Sequence, residues 1–146
     1  MSIDEPSLIL RSFGSSLENV EYLTLSGIFT HPLDLAMLLS HFPHLNDLSL
    51  FDIYSPNMRN GTSDVHRGFH TSIVPTHPCG TFSVSVPSEY RVSKGVFEAV
   101  VLLKPRFRQV SLMDINYGTW REYWPLVEAC AGSLEELYIL AHATDE

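Results

Sequence analysis

The chain has 146 residues, a formal net charge of -8, 45% hydrophobic residues and 18% charged ones. This is the length of one domain and the composition of a folded chain, not of a disordered one. The acidic balance argues against nucleic-acid backbones and anionic membranes as partners, since both would repel it.

The first residues, Met1-Ser2-Ile3-Asp4-Glu5-Pro6, carry acid where a secretory signal carries base. No window approaches the roughly 18 uninterrupted apolar residues of a membrane span. Cys79 and Cys130 stand outside any C-x-x-C motif and give no disulfide framework. An intracellular location, cytoplasmic or nuclear, is the expectation. Cys130 falls in an apolar helical stretch and reads as a buried small hydrophobe.

Taken in chain order, residues 19–28 place Val20, Leu23, Leu25 and Ile28 at positions 1, 4, 6 and 9 of a ten-residue template. Residues 32–42 follow with Leu35, Leu38, Leu39 and Phe42, a helical stripe begun by Pro32, where a missing amide is harmless. Residues 44–53 repeat the template with Leu45, Leu48, Leu50 and Ile53. From 54 to 78 no period survives; Asn57, Asn60, Gly61, Ser63, Gly68, Pro75 and Pro78 mark an irregular insertion loop.

Phe82, Val84 and Val86 then alternate with Thr81, Ser83 and Ser85, the periodicity of a strand. Ser93 is a candidate cap for a helix carrying Val96, Phe97, Val100, Val101 and Leu103, ended by Pro105. The short basic run from Lys104 to Arg108 reads as a solvated loop. Residues 106–115 return to the template with Phe107, Val110, Leu112 and Ile115. A T-x-x-E capping box, Thr119 to Glu122, opens a third helix, which Pro125 should kink or restart near Trp124 and Gly132 should close. Residues 133–142 give Leu134, Leu137 and Ile139, with His142 breaking the last position.

This is the L-x-x-L-x-L core of a leucine-rich repeat. First positions at Val20, Leu45, Phe107 and Leu134 are separated by 25, 62 and 27 residues. The middle gap holds one more repeat, whose first position falls near Cys79, plus the insertion. The expected fold is α/β: a leucine-rich-repeat solenoid of the ribonuclease-inhibitor-like kind, a parallel curved sheet with helices on its convex side. Residues 1–146 are expected to form a single domain, a partial solenoid.

The phrases Leu45-Asn46-Asp47-Leu48-Ser49-Leu50, Tyr123-Trp124-Pro125-Leu126-Val127 and Gly132-Ser133-Leu134-Glu135-Glu136-Leu137 resemble the leucine-rich-repeat portions of fungal F-box-like proteins. The resemblance runs from about Leu17 to Leu140. It implies repeats that hold a substrate for a ubiquitin ligase, docked through a separate N-terminal F-box. Only sixteen residues precede Leu17, too few for that module, so adaptor binding is not carried over.

Catalytic and metal readings weigh less. His66, His70, His77 and Cys79 offer nitrogen and sulfur ligands for zinc, but Gly68, Pro75 and Pro78 interrupt them and the spacing fits no zinc module. Ser72 or Cys79 beside His70 or His77 lacks a nucleophile elbow and an orienting acid. Phosphate-loop and dinucleotide motifs are missing. No catalytic residue, cofactor or metal is assigned, and the chain is expected to be a non-enzymatic interaction scaffold. A truncated remnant without activity, or a small zinc-binding module, are the alternatives.

The site follows from strand geometry. With template positions 4 and 6 pointing into the core, positions 3, 5 and 7 point outward. That places Tyr22, Phe51, Met113, Tyr138 and Leu140 on the concave face, together with the small residues Thr24, Ser49 and Ser111. Apolar groups beside tyrosines where solvent is expected are the composition of a protein-binding surface.

Overall fold

The structure is a computed structural model and describes residues 14–28, 32–54, 75–85, 94–116 and 120–142. A short 3-10 turn at Gly14–Asn19 leads into five strands: β1 (Tyr22–Ile28), β2 (Asp47–Tyr54), β3 (Thr81–Ser85), β4 (Gln109–Asn116) and β5 (Glu136–His142). Three helices join them: α1 (Pro32–Leu39), α2 (Lys94–Val101) and α3 (Trp120–Ala129). The strands form one five-stranded sheet in chain order, and every pairing is parallel. The fold is α/β.

The register is the one that the repeated segments require. Leu23 lies beside Leu48, Leu48 beside Phe82, Phe82 beside Val110 and Val110 beside Leu137. Fourth template positions therefore form one row across the sheet. Sixth positions form the next: Leu25, Leu50, Val84, Leu112 and Ile139. The Thr81–Ser85 segment forms the middle strand, between β2 and β4.

Apolar residues from these rows meet the helices in one core. Leu48, Leu50, Phe82, Val84, Val110 and Leu112 are buried against Leu35 and Leu39 of α1, Phe97 and Val100 of α2, and Tyr123 and Leu126 of α3. Phe82 stacks obliquely on Phe107 with ring centroids 5.3 Å apart and meets Phe97 edge-on at 6.4 Å. Phe97 in turn contacts Tyr123 at 4.6 Å. This aromatic chain ties β3, the turn before β4 and two helices together, each ring burying far more area than an aliphatic side chain. Cys130 is buried as expected.

Several local expectations shift. Helix α1 stops at Leu39, and Phe42 reaches the core from the turn that follows. Pro125 sits inside α3 without ending it. It is the sixth of ten residues, past the four opening amides that lack carbonyl partners, so the helix runs through it with one backbone hydrogen bond fewer. Lys104, with φ of 50°, donates its amide to Val101 O at 2.9 Å and closes the turn after α2 in left-handed conformation, the usual way to finish a helix ahead of a proline. His77 shares that φ of 50°. Next to it Pro78 is buried and Cys79 exposed. The 54–78 insertion falls mostly outside the described residues; 75–78 carry no regular structure, and Tyr54 ends β2.

One expectation is overturned. Leu137 and Ile139 are not core: they are 40% and 58% exposed. Their rows continue those of Val110 and Leu112, so they face the helix side of the sheet. Each described helix lies between two strands in the chain, and among the described residues none follows β5. Val20, Leu23 and Leu25, at the opposite edge, are half-buried.

Candidate functional site

The sheet face turned away from the helices is built in three rows. The first runs Tyr22, Asp47, Thr81, Gln109, Glu136. The second runs Thr24, Ser49, Ser83, Ser111, Tyr138. The third runs Ser26, Phe51, Ser85, Met113. Leu140 comes next to it, where β4 carries one residue more than β5 between Leu112 and Ile115. A similar offset follows Phe51, where β2 gains a residue on β1. Bulges of this kind bend a strand and re-aim its side chains.

All five residues expected on this face lie on it. Tyr22 is 74% exposed and Tyr138 53%; Phe51 and Leu140 are also exposed, and Met113 is half-buried. They do not make one patch. Phe51 and Met113 are two strands apart in the third row, with Ser85 between them. Tyr138 and Leu140 stand together on β5. Tyr22 is isolated at the far edge and the far row. The serines between them are the missed part of the face. Ser83 and Ser85 come from the strand hidden in the long gap, and alternation alone could have placed them there. Together Ser49, Ser83 and Ser111 make a small-residue floor between larger neighbours.

The Tyr138 hydroxyl donates to Glu136 Oε2 at 3.0 Å. That bond, and the charge of Glu136, push the phenol above its ordinary ionisation range. The ring is therefore a neutral hydrogen-bonding aromatic at physiological pH, with its orientation fixed by its own strand.

The floor is held in register at its upstream end by a repeated turn. Asn46 and Asp47 donate their amides to Glu21 O, each at 2.9 Å. Arg108 and Gln109 do the same to Gly80 O, and Glu135 and Glu136 to Arg108 O. Between β2 and β3 the pattern changes. Gly80 N donates to Asn46 O, but Thr81 N donates to the Asp47 carboxylate, Oδ1, at 2.6 Å. A side chain here stands in for the main-chain acceptor. The space it occupies requires Gly80: a Cβ there would collide with Asp47 Oδ1 and lie 2.9 Å from Asn46 O.

Of the residues considered for metal or catalysis, only His77 and Cys79 fall among the described residues. His66, His70 and Ser72 lie outside the described residues. His77 Nδ1 lies 3.1 Å from Lys104 O, and the Cys79 thiol donates to Asn46 Oδ1 at 3.2 Å. Among the described residues no three histidine, cysteine, aspartate or glutamate side chains group as a metal site, and no helix is long and apolar enough to cross a membrane. Compared with known protein families, curated proteins and solved structures, the chain matches none.

Proposed function

We propose that this chain is a leucine-rich-repeat module whose helix-free sheet face binds a protein, a non-enzymatic scaffold of the kind that recognises substrates in F-box-type ubiquitin-ligase proteins. The observation that carries this reading is the exposure of Phe51, Tyr138 and Leu140 on a face floored by serines. Exposed aromatic and aliphatic side chains separated by small ones leave room for a partner's side chains between them. The parallel pairing of all five described strands in chain order supports the repeat architecture, because stacked repeats pair only with their neighbours.

Alanine substitution of Phe51, Met113 and Tyr138, with melting curves beside capture of interacting proteins, tests the reading. If the face binds, the three variants melt close to the parent while capture falls, by roughly thirtyfold in affinity for a central anchor. Melting that drops first, with binding lost only as a consequence, assigns these residues to the fold and removes the site.

A further inference from the structure

The lead-in to β4 reverses the sign of charge that prevails over the chain. Against a net charge of -8, three of the nine lysines and arginines fall within five residues: Lys104, Arg106 and Arg108. Their composition suggests a free loop, and the structure shows otherwise. Pro105 and Phe107 are buried while Lys104, Arg106 and Arg108 are exposed, so the basic side chains alternate with anchors of the core. The backbone is fastened on both sides. Arg106 donates its amide to Pro78 O at 2.7 Å and Arg108 to Gly80 O at 3.0 Å, and Arg108 O accepts the amides of Glu135 and Glu136. Alternation on an extended backbone sets Arg106 and Arg108 on one side, about 6.6 Å apart.

The fold makes little use of these cations. Lys104 and Arg106 have no acidic partner among the described residues. Arg108 gives two of its five N–H donors to Glu135, in a pair open to solvent on both sides and therefore easily exchanged. The patch is also bounded. The residues that precede the five strands run Glu21, Asn46, Gly80, Arg108, Glu135 across this rim. Positive charge is confined to the β4 lead-in, with uncharged residues toward β3 and a carboxylate at each end of the rim.

We propose that the β4 lead-in is a docking site for a short acidic segment of a partner protein, separate from the helix-free face. Carboxylates on alternate residues of an extended segment recur at about 6.6–6.8 Å, the interval between Arg106 and Arg108. Each guanidinium receives a carboxylate through paired N–H donors, and Lys104 takes a third as a point charge. The bounds of the patch select the length of the partner. A nucleic-acid strand carries its charge past the patch and runs onto Glu135 or Glu21, where it is repelled. A short acidic segment ends before it meets them.

A short fluorescent peptide alternating glutamate with serine is the probe, titrated with the full chain at about 0.1 M salt. The screening length there, about 10 Å, shields it from acids elsewhere on the molecule. Saturable binding is expected, and salt at about 1 M should abolish it. Arg106→Gln should weaken it roughly tenfold, as the loss of a charge-assisted hydrogen bond does. Arg121→Gln removes an exposed cation from α3 and changes the net charge equally, yet should leave binding as it was. Phe51→Ala should also leave it as it was, since loss there would merge this site with the helix-free face. No binding of the glutamate peptide, equal losses in the two arginine variants, equal binding of a peptide with lysine in place of glutamate, or tighter binding of a single-stranded oligonucleotide of equal charge would each overturn the proposal. The lysine-peptide, oligonucleotide and salt comparisons use the parent chain, so they decide even if a variant fails to fold.

Discussion

Leu50 in β2 and Ile139 in β5 occupy the same row of the sheet and face the same side, yet Leu50 is sealed and Ile139 is 58% exposed. Val84 and Leu112, between them, are as buried as Leu50. The two strands do not differ at their inward positions, which are aliphatic in both: Leu48 and Leu50 in β2, Leu137 and Ile139 in β5. They differ in what comes next. Burial on this sheet comes from neighbouring strands and helices, so an inward-facing residue on a strand with no described neighbour beyond it stays half in water.

The sharpest way to break this comparison is to truncate both residues. Leu50→Ala should cost about 2–5 kcal/mol, the transfer term plus a cavity that rigid neighbours cannot fill. Ile139→Ala removes a side chain already more than half hydrated and should cost under about 1 kcal/mol in the monomer. Urea unfolding at low protein concentration measures both. Equal losses would mean that β5 is covered in solution even when the protein is dilute, and the contrast between the two strands would fall.

A second test addresses why the middle strands hold their register. Gly80→Ala should destabilise by about 1–3 kcal/mol, because the new methyl forces the Asp47 carboxylate and the Asn46 carbonyl to move. Asp47→Asn keeps an acceptor oxygen for Thr81 N, and Asp47→Ala does not. The asparagine variant should therefore retain most of the stability that the alanine variant loses, on the order of 1–2 kcal/mol. A mild Gly80→Ala together with equal Asp47 variants would show that this turn is not what aligns β2 with β3.

The smallest effect belongs next to β5. Arg108 donates twice to Glu135 Oε1, at 2.8 and 3.1 Å, but both side chains are well over half exposed. Arg108→Ala should leave the melting temperature within error of the parent, as exposed ion pairs usually do. A clear loss would show that the turn ahead of β5 is held more firmly than its exposure suggests.

The strands and their order were legible because the template records side-chain direction locally: Leu48 and Leu50, or Val110 and Leu112, declare the inward face within three residues. The outward places of Phe51, Met113 and Tyr138 follow from the same alternation. What depends on distant chain was not legible. The exposure of Leu137 depends on the lack of a following helix among the described residues, which no residue of β5 encodes. The fit of Gly80 to Asp47 joins positions 33 residues apart through one close contact and leaves no periodic mark. Ahead of β3, Pro78 is buried and Cys79 exposed beside a left-handed His77, a local conformation that composition does not announce.

The agreement between strand order and chain order has a consequence for synthesis. As the polypeptide leaves the ribosome, each new strand finds its partner already made, and no strand waits for a distant one to emerge. Assembly can proceed as extension along a growing edge, with the loop-closure entropy of each step set by one connection alone. Until the next strand arrives, the nascent edge presents unpaired backbone N–H and C=O groups, as the outer edge of β5 does among the described residues. Among the described strands, β5 stands in the state through which each earlier one passes as the sheet grows.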